Sequence, residues 1–432
     1  MLARLCANTY HEHTKALLER MTDNMETCGI IAEYNPFHNG HAYQAARVRA
    51  RLGPNTGIIA VMSGDFVQRG GPAVCDKWTR ALWAVEGGID LVLELPVRHA
   101  TASAERFGDG GVRLLQAAGI VRHIAFGAET SDLDALTSIA GLLADEPVQF
   151  KKHLAEKLSD GSGFAAARQQ AVGAMLGAKT AALLRESNAI LAVSYLVAMK
   201  RIRAGFKPLL IERKGPDEHG QAEGTFAPAS HIRSVLLDAF AAGEPHRALL
   251  LLDCLPAGVL AGLFQAAFQA RLGSFERLFP HALAALIAHD EPSLLAFPSL
   301  QPDLAMRLKN QAGDRSDPAD AAGFVDRAAT RAYPAARVRR ALTDLYLGDL
   351  LTDAPDAPQV IHVLAFSRRG RYLLRLLKHH AALPVVTRSS DIFEMTGGPR
   401  LELEQSLRAA DLYQLLVKGR TRADFDRTVG IL

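Results

Sequence analysis

The chain has 432 residues, of which 49% are hydrophobic and 22% are charged, and its formal net charge at pH 7 is +3. This length allows about two or three domains with cores of their own, and so small a net charge does not by itself indicate a nucleic-acid partner. The four cysteines, Cys6, Cys28, Cys75 and Cys254, include no C-x-x-C pair. Their spacing argues against a zinc ribbon and a disulfide framework and favours a reducing, cytoplasmic location.

Residues 1–24 are predicted to be an extension outside the fold. Charged and histidine side chains recur in this segment, so it lacks the unbroken apolar core of a secretory signal. The most apolar window, residues 248–264, is interrupted by Asp253 and Pro256 and is too short to span a bilayer. We therefore expect no membrane partner.

From Met25 to about residue 215, short apolar runs alternate with amphipathic segments. The runs predict strands at 28–33, 57–62, 89–95, 123–127 and 208–212. Between the first four strands, helices are predicted at 40–52, 76–88 and 102–119, with Asp76 capping the second and Gly87-Gly88 ending it. This alternation is typical of βαβ units and predicts a Rossmann-like parallel sheet, in which ligands bind at the carboxyl ends of the strands.

The first predicted strand ends in EYNPFHNGHAYQ (33–44), which places two histidines three residues apart at the start of a helix. A helix N-terminus presents free N–H groups and a partial positive charge, so it attracts phosphate. His38 and His41 project from the same side of the first turn and can donate hydrogen bonds to one polyphosphate. Gly40 lets a base or sugar approach the backbone. The motif predicts a nucleotide site with His38 and His41 as catalytic residues, and it differs from the Walker-type phosphate loop.

Four polar residues follow the second predicted strand and are expected at the same sheet edge as His38. They are Asp65, Gln68, Arg69 and Lys77. Because the carboxyl ends of parallel strands share one edge, these side chains are expected to contact the same ligand as His38. Trp78 and Trp83 lie five residues apart on one predicted helix, where packing is the expected role.

The part from residue 244 is predicted to be mostly helical, with apolar periodicity at 246–272, 275–290, 296–312 and 334–350. The runs QVIHVLAFS and LPVVTR flank a basic helix at 367–380 and can pair as strands. From Arg327 to Arg388 there are 11 Lys or Arg and four Asp, a local excess of +7. Such an excess is the footprint expected for binding a phosphate backbone, although a solvated helix face paired with acids elsewhere gives the same pattern.

The segment EYNPFHNGHAYQ resembles the opening of the tRNA(Met) cytidine acetate ligases, a family of the nucleotidyltransferase superfamily with a HIGH-like signature. Other blocks are similar in the same order along the chain, so the resemblance covers nearly all of it from about residue 27. They are VMSGDFVQRGGPAVCDKWTRALWAVEGGIDLVLELP (61–96), SAERFGDGGVRLL (103–115), FGAE (126–129), SNAILAVSYL (187–196), IERKG (211–215), ASHIR (229–233), TRAYPAARVRRAL (330–342) and LAFSRRGRYLLRLLK (364–378).

The resemblance implies a ligase that activates acetate with ATP as acetyl-adenylate and releases pyrophosphate. The acetyl group then passes to the N4 amine of the wobble cytidine of elongator tRNA(Met), giving N4-acetylcytidine. We expect an ATP-binding nucleotidyltransferase domain at 25–243 and a mostly α-helical, basic, tRNA-binding domain at 244–432. Mg²⁺ is an expected companion of ATP, although no carboxylate cluster in the sequence predicts protein ligands for a metal, and no stable protein partner is inferred.

Carried over by position, the implied ATP-binding residues form one continuous segment and three separate positions. They are Ile31, Ala32, Glu33, Tyr34, Asn35, Pro36, Phe37, His38, Asn39, Gly40, His41, Ala42, Tyr43, Gln44, Gly127, Asn188 and Arg213. For the last three, the alternatives are an ordinary loop glycine, a helix N-cap and a surface ion pair with Glu212 or Asp217. The predicted tRNA-binding residues are Arg331, Arg337, Arg339, Arg340, Arg368, Arg369 and Arg371.

Two other functions remain open from the sequence. One is a small-molecule adenylyltransferase or amide ligase of the same superfamily, similar to pantothenate synthetase, which does not need the long basic C-terminal part. The other is a catalytically idle RNA-binding protein, against which the intact His38, Gly40 and His41 argue.

Overall fold

The fold is described from a computed structural model over residues 25–215, 220–313, 320–352, 355–419, 421, 424–425 and 427–432. The predicted extension, 1–24, lies outside these residues. Eight strands in the described part form one sheet. They are β1 (Thr27–Ala32), β2 (Gly57–Ser63), β3 (Leu91–Leu95), β4 (His123–Ala128), β5 (Lys207–Glu212), β6 (Ile361–Phe366), β7 (Val385–Val386) and β8 (Gly430–Ile431).

The strand order is β5-β4-β1-β2-β3-β6-β7, and β8 pairs with β6. The first five strands run parallel, with Thr27 of β1 opposite Gly57 of β2. β6 is antiparallel to β3, which it meets with a register shift between Val92 and Leu93, and it runs parallel to β7 and β8. The predicted Rossmann-like fold, a mostly parallel sheet with helices, is confirmed.

Helices connect the strands and cover both faces of the sheet. From β1 to β5 they are α1 (Asn39–Leu52), α2 (Lys77–Glu86), α3 (Val97–Ala100), α4 (Ala104–Ala117), α5 (Leu133–Asp145), α6 (Val148–Ser159), α7 (Phe164–Leu176), α8 (Ala178–Ala182) and α9 (Ser187–Arg201). The others are α10 (Ala229–Ala241), α11 (Ala257–Phe268), α12 (Phe275–Ala288), α13 (Glu291–Leu294), α14 (Pro302–Gly313), α15 (Ala321–Ala328), α16 (Ala335–Leu347), α17 (Arg368–His380) and α18 (Gly397–Leu416).

Among the described residues, no single helix has both the length and the apolar composition needed to cross a membrane. By those two criteria alone one bent pair could, Ala178–Arg185 with Ser187–Arg201, whose two parts meet at 105°.

The second helix, α2, shows how local sequence sets the element boundaries. The Asp76 side chain accepts a hydrogen bond from the backbone N–H of Thr79, which is the N-cap that the sequence predicts. Gly87 ends the helix, where an added Cβ would collide with the Phe37 ring. Trp78 and Trp83 are buried on this helix, so the predicted packing role of both tryptophans is confirmed.

Successive residues of the central strands contribute to two different cores. Ile59 and Val61 of β2 lie in a cluster with α4, α5, α9 and α17, whereas Ile58, Ala60 and Met62 pack against α1, α2, α10 and α11. This alternation follows from the two-residue period of a strand. A third cluster joins α12, α14, α15, α16 and the end of α18 to Phe66 and Val97.

The sheet and the second cluster both continue past residue 243, where the sequence predicts a domain boundary. β6, β7 and β8 come from the C-terminal part, and β6 completes the sheet beside β3. Leu251, Val259 and Leu263 pack in the same cluster as β1 and β2. As a domain boundary, the division between 243 and 244 remains a prediction, but the helices that form a separate core begin only at α12.

The predicted C-terminal elements agree with the structure except around two prolines. The predicted helix 246–272 is a 3₁₀ segment, Pro245–Leu251, followed by α11, which begins after Pro256. The predicted helix 296–312 begins only at Pro302. Proline lacks a backbone N–H and fits the first turn of a helix better than its interior. The predicted pairing of the two strand-like runs around the basic helix is confirmed as β6 with β7.

A buried ionic cluster joins the part of the chain before residue 244 to the C-terminal part. We use this name for Asp65, Lys77, Glu94, His362, Ser406 and Asp424. Lys77 Nζ lies 3.0 Å from Glu94 Oε1, 3.0 Å from Asp424 Oδ2 and 3.9 Å from Asp65 Oδ2, and it donates a hydrogen bond to Ser406 Oγ at 2.9 Å. His362 Nδ1 is 2.6 Å from Glu94 Oε2.

The charged groups of the cluster are buried, and they shift one another's pKa values. Burial acts to lower the pKa of Lys77, but Asp424, Glu94 and Asp65 outweigh burial and raise it. For Glu94, burial acts to raise the pKa, and Lys77 and His362 together lower it to about 2. Lys77 therefore stays charged inside the protein, held by three carboxylates from distant parts of the chain.

Candidate active site

A cavity of about 230 Å³ opens at the carboxyl ends of β1, β4 and β5, where the fold predicts ligand binding. Its wall comes from the turn after β1, the first turns of α1, α9 and α10, and the residues after β5. Thirteen of the seventeen predicted ATP-binding residues line it. They are Ile31, Ala32, Glu33, Tyr34, Asn35, His38, Gly40, His41, Tyr43, Gln44, Gly127, Asn188 and Arg213.

The other four predicted residues, Pro36, Phe37, Asn39 and Ala42, are not part of the cavity wall. Phe37 is completely buried. The Asn39 amide donates hydrogen bonds to the backbone oxygens of Asp253 at 2.8 Å and Thr225 at 3.1 Å. Ala42 packs against the second core cluster. A helical turn directs its residues to different sides, so a continuous sequence block includes residues that hold the turn as well as residues that face the cavity.

The imidazole rings of His38 and His41 each accept one hydrogen bond within the turn. His38 is the N-cap of α1, and its Nδ1 accepts from the backbone N–H of Gly40 at 3.0 Å. His41 Nδ1 accepts from the backbone N–H of His38 at 3.2 Å, which completes a capping box. The two rings stack with centroids 3.8 Å apart. Because each Nδ1 is an acceptor, each neutral ring carries its proton on Nε2.

Both histidines are held in the neutral form. Burial, followed by the positive charges of Arg213 and Arg233, lowers the pKa of His38 to about 3. Burial, His38 and Arg213 lower the pKa of His41 well below its usual value. At neutral pH the pair therefore presents Nε2–H donors to an anionic ligand without carrying a charge.

The residues after β4 and β5 form the opposite wall of the cavity. A Cβ on Gly127 would lie 3.1 Å from Cγ of Arg213, so a side chain there would crowd the arginine. Asn188 is not the N-cap of α9. Its amide donates to Glu129 Oε1 at 2.5 Å, and Glu129 Oε2 accepts from the backbone N–H of Ala189 at 3.1 Å. Glu129 thus accepts hydrogen bonds from backbone N–H groups in the first turn of this helix, an arrangement that the sequence did not predict.

The surface ion pair considered for Arg213 is not formed within the described residues. Arg213 makes no ion pair with Glu212, and Asp217, the other candidate partner, lies outside the described part of the chain. Arg213 lines the cavity and lowers the pKa of both histidines. The same cavity includes Arg233, whose Nη1 donates to the Asn35 backbone oxygen at 2.6 Å. Arg233 was not among the predicted ATP-binding residues, although its segment, ASHIR, carries part of the resemblance.

The four residues expected at the sheet edge after β2 divide into two pairs. Gln68 and Arg69 line the cavity. Asp65 and Lys77 belong to the buried ionic cluster, so the prediction that they contact a ligand is wrong. Arg80 holds the loop after β2 in place. It is completely buried and donates to the backbone oxygens of Glu33, Ser63, Gly64 and Cys75.

The seven predicted tRNA-binding arginines do not share one surface. Arg331, Arg337, Arg339 and Arg340 lie at or just before the start of α16, which packs on the loop around Arg69. A Cβ on Gly70 would lie 2.5 Å from the backbone nitrogen of Arg340. Burial lowers the pKa of Arg340, and of its charged neighbours Asp344 raises it while Arg337 and Arg69 lower it. The start of α16 therefore contacts the loop that supplies Gln68 and Arg69 to the cavity wall.

Arg368, Arg369 and Arg371 open α17 at the other edge of the sheet. Because β6 is antiparallel to β3, its carboxyl end meets the amino end of β3. Arg369 Nη1 lies 3.7 Å from Asp90 Oδ2, just before β3. One strand length, about 20 Å, separates this group from the edge that holds the cavity.

In the described ranges, no group of three or more His, Cys, Asp or Glu residues is placed to hold a metal ion. The carboxylates in the cavity wall are Glu33 and Glu212. They lie at the ends of strands that are not neighbours in the sheet, so the protein side chains described here do not form a metal site.

Comparison with known proteins agrees with this geometry. Residues 25–427 match the family model described as HIGH Nucleotidyl Transferase. The chain is 35% identical over 409 residues to the tRNA(Met) cytidine acetate ligase of Thermoanaerobacter sp. (strain X514), covering 93% of this chain and 98% of that protein.

Two crystal structures of Thermotoga maritima TmcAL are similar to this fold. The apo form superposes with a TM-score of 0.84 at 30% identity, and the form bound with alpha-thio ATP with a TM-score of 0.82 at 29% identity. Each comparison covers 94% of this chain and all of the other. By this coverage and identity, the chain belongs to the HIGH nucleotidyl transferase family and, within it, to the tRNA(Met) cytidine acetate ligases.

Proposed function

We propose that this protein is an ATP-dependent tRNA(Met) cytidine acetate ligase, which forms acetyl-adenylate and transfers the acetyl group to the N4 amine of the wobble cytidine of elongator tRNA(Met). The observation that carries the proposal is the pair of neutral histidines, His38 and His41, that face one cavity together with Arg213 and Arg233. The names of the similar proteins supply the substrates. None of the relatives reported above is a pantothenate synthetase, so the small-molecule alternative is not favoured.

The first half-reaction joins acetate to the α-phosphate of ATP. An acetate oxygen forms a bond to the α-phosphorus, and the bond to the bridging oxygen breaks, so negative charge develops on the departing pyrophosphate. The Nε2–H groups of His38 and His41 can donate to these oxygens, and the N-terminus of α1 adds a partial positive charge. Arg213 and Arg233 provide fixed charges on the same cavity.

A Mg²⁺ ion that accompanies ATP would be held mainly by phosphate oxygens and water, as is common for this ion. The described side chains include no group of three or more metal-ligating residues that could hold it. A cytoplasmic location agrees with a tRNA substrate.

Acetate-stimulated exchange of labelled pyrophosphate into ATP tests the first half-reaction without tRNA. We expect exchange with the purified protein to require acetate and to continue when tRNA is omitted. Exchange stimulated by pantoate, with no response to acetate, would instead support the small-molecule ligase. Absence of exchange with either acid would support an idle RNA-binding protein.

The tRNA surface is proposed at the start of α16, since of the two groups of arginines this one lies on the helix that contacts the cavity loop of Gln68 and Arg69. Arg331→Glu with Arg337→Glu should weaken tRNA binding and reduce the slope of log Kd against log salt by about 2, one for each lost phosphate contact. Arg331 is exposed and Arg337 contacts mainly the Tyr333 ring, at 4.9 Å. The exchange reaction without tRNA should be retained.

Arg368→Glu with Arg371→Glu is the matched control, because both side chains are exposed and the change in net charge is the same. This pair should leave tRNA affinity and its salt slope unchanged, as measured by filter binding at several salt concentrations. Equal weakening by both pairs would contradict the assignment to α16 and would indicate that both edges of the sheet contact tRNA.

A further inference from the structure

We propose that Glu33 is the base of the second half-reaction: its carboxylate accepts a hydrogen bond from the N4 amine of the target cytidine and takes the proton that this amine loses. The inference rests on the proposed function. It assigns Glu33 a role separate from ATP binding.

Hydrogen bonds hold both the side chain and the backbone of Glu33 in place. It follows the last residue of β1 and lines the cavity. Its Oε1 accepts a hydrogen bond from the backbone N–H of Gln68 at 2.9 Å, and its backbone oxygen accepts one from Arg80 Nη1 at 2.6 Å. Within the described residues, Oε2 takes part in no hydrogen bond or ion pair. One carboxylate oxygen is therefore fixed by the protein while the other is available to a ligand.

The sheet order places Glu33 toward the proposed tRNA surface. Gly127 in β4, Asn188, which donates to Glu129 just after β4, and Arg213 just after β5 lie on one side of β1. β2 is on the other side, and the loop after it carries Gln68 and Arg69. That loop packs on α16. A cytidine that enters from α16 thus meets Glu33 before it reaches the residues proposed to bind the nucleotide.

The other titratable groups of the cavity are poorly suited to accept the amine proton. His38 and His41 carry their protons on Nε2, and their lowered pKa values disfavour a second proton. Burial and the charge of Glu33 raise the pKa of Tyr195, so its hydroxyl stays protonated. Burial likewise raises the pKa of Tyr34. Tyr43 packs edge-on against Phe226, and Lys214 Nζ lies 5.3 Å from the centroid of its ring, so Tyr43 is on the β5 side of the cavity.

Four of the remaining charged residues in the cavity wall are cations, which cannot accept the amine proton. They are Arg69, Arg213, Lys214 and Arg233. Glu212, the other carboxylate, ends β5 on the nucleotide side, two strands from β1. By position and chemistry, Glu33 is the group left to serve as the base.

The transfer step balances with Glu33 as proton acceptor. The N4 lone pair forms the C–N bond to the acetyl carbon, the bond from that carbon to the adenylate oxygen breaks, and AMP leaves with the electron pair. One N4 proton passes to the Glu33 carboxylate. A carboxylate also selects cytosine, since it accepts from the N4 amine of cytosine but faces only the O4 acceptor of uracil.

The test compares the two half-reactions in Glu33→Gln. The glutamine Oε1 can still accept the Gln68 N–H, so the loop contact is preserved, but the amide cannot take a proton. Acetyl transfer from enzyme-bound adenylate to the tRNA(Met) transcript should slow by about 100-fold or more relative to the exchange rate, the usual contribution of a general base. Glu26→Gln, at the amino end of β1, is the control for loss of one negative charge and should transfer normally.

A binding measurement adds a readout that a purely structural role would not change. The native protein should bind the cytidine transcript about tenfold more tightly than one with uridine at the wobble position, and Glu33→Gln should lose most of this preference, because its amide can also donate to O4. Native transfer by Glu33→Gln, or equal loss of exchange and transfer, would overturn the assignment. If the native protein itself transferred no acetyl group, the proposed function would fail, and this inference with it.

Discussion

Replacing His38 with Asn and His41 with Gln in one protein should slow acetate-dependent pyrophosphate exchange by at least about two orders of magnitude with little effect on stability. Asparagine is a favoured N-cap, and glutamine at the third helical position can reach back to the N-cap N–H, so the capping box is retained. The imidazole donors are lost. One preorganised transition-state donor contributes about 3–4 kcal/mol, or at least about 100-fold in rate.

The corresponding double alanine variant separates catalysis from capping. It should lose the same exchange activity and, in addition, about 1 kcal/mol of unfolding free energy, because the capping hydrogen bonds are gone. Exchange rates and urea unfolding curves of the two variants give both quantities. If the Asn and Gln variant exchanged at the native rate, the histidines would serve only to build the turn.

Lys77→Ala should destabilise the protein by about 3–5 kcal/mol, because breaking a buried ion pair leaves uncompensated buried charge. Three carboxylates, Asp65, Glu94 and Asp424, surround Lys77 Nζ. Without the lysine, they must either repel one another or take up protons. Chemical denaturation that monitors both tryptophans should report the loss, since Trp78 is adjacent to Lys77.

Lys200→Ala is the matched control for this effect. Lys200 Nζ lies 2.6 Å from Asp145 Oδ2, but both side chains are exposed. Surface pairs contribute about 0–1 kcal/mol, so this variant should unfold close to the native midpoint. A loss of less than 1 kcal/mol on replacing Lys77 would mean that the cluster does not hold the two parts of the chain together.

The sequence predicted those parts of the fold that are encoded locally. β2 and β4 each begin at the predicted residue and extend one residue past the predicted end, since each is a continuous apolar run between turn residues. The pairing of β3 with β6 was not predicted, because it joins residues 91 and 366, and no local pattern encodes such a contact. Pro256 interrupts a helix that apolar periodicity alone extends over the whole segment.

The site was predictable where chemistry is concentrated in a short motif. His38 and His41 have a spacing that places them on one helical turn, and the structure brings both to the cavity. Arg80 and Glu129 carry no such signal, since their roles depend on carbonyl oxygens and helix N–H groups supplied by other elements. The arginines of α16 and α17 appear as one basic block in sequence, and only the antiparallel direction of β6 shows that they lie at opposite edges.

The placement of β6 beside β3 has a consequence for the chain as it emerges from the ribosome. β3 is complete at Leu95, but its outer neighbour begins at Ile361. At about 5–20 residues per second, the interval between them lasts on the order of 15–50 seconds. During this time the apolar edge of β3 is unpaired, and such an edge can pair with strands of other chains. A chain whose translation stops before about residue 366 lacks the strand that pairs with β3. It also lacks Asp424, one of the carboxylates around Lys77.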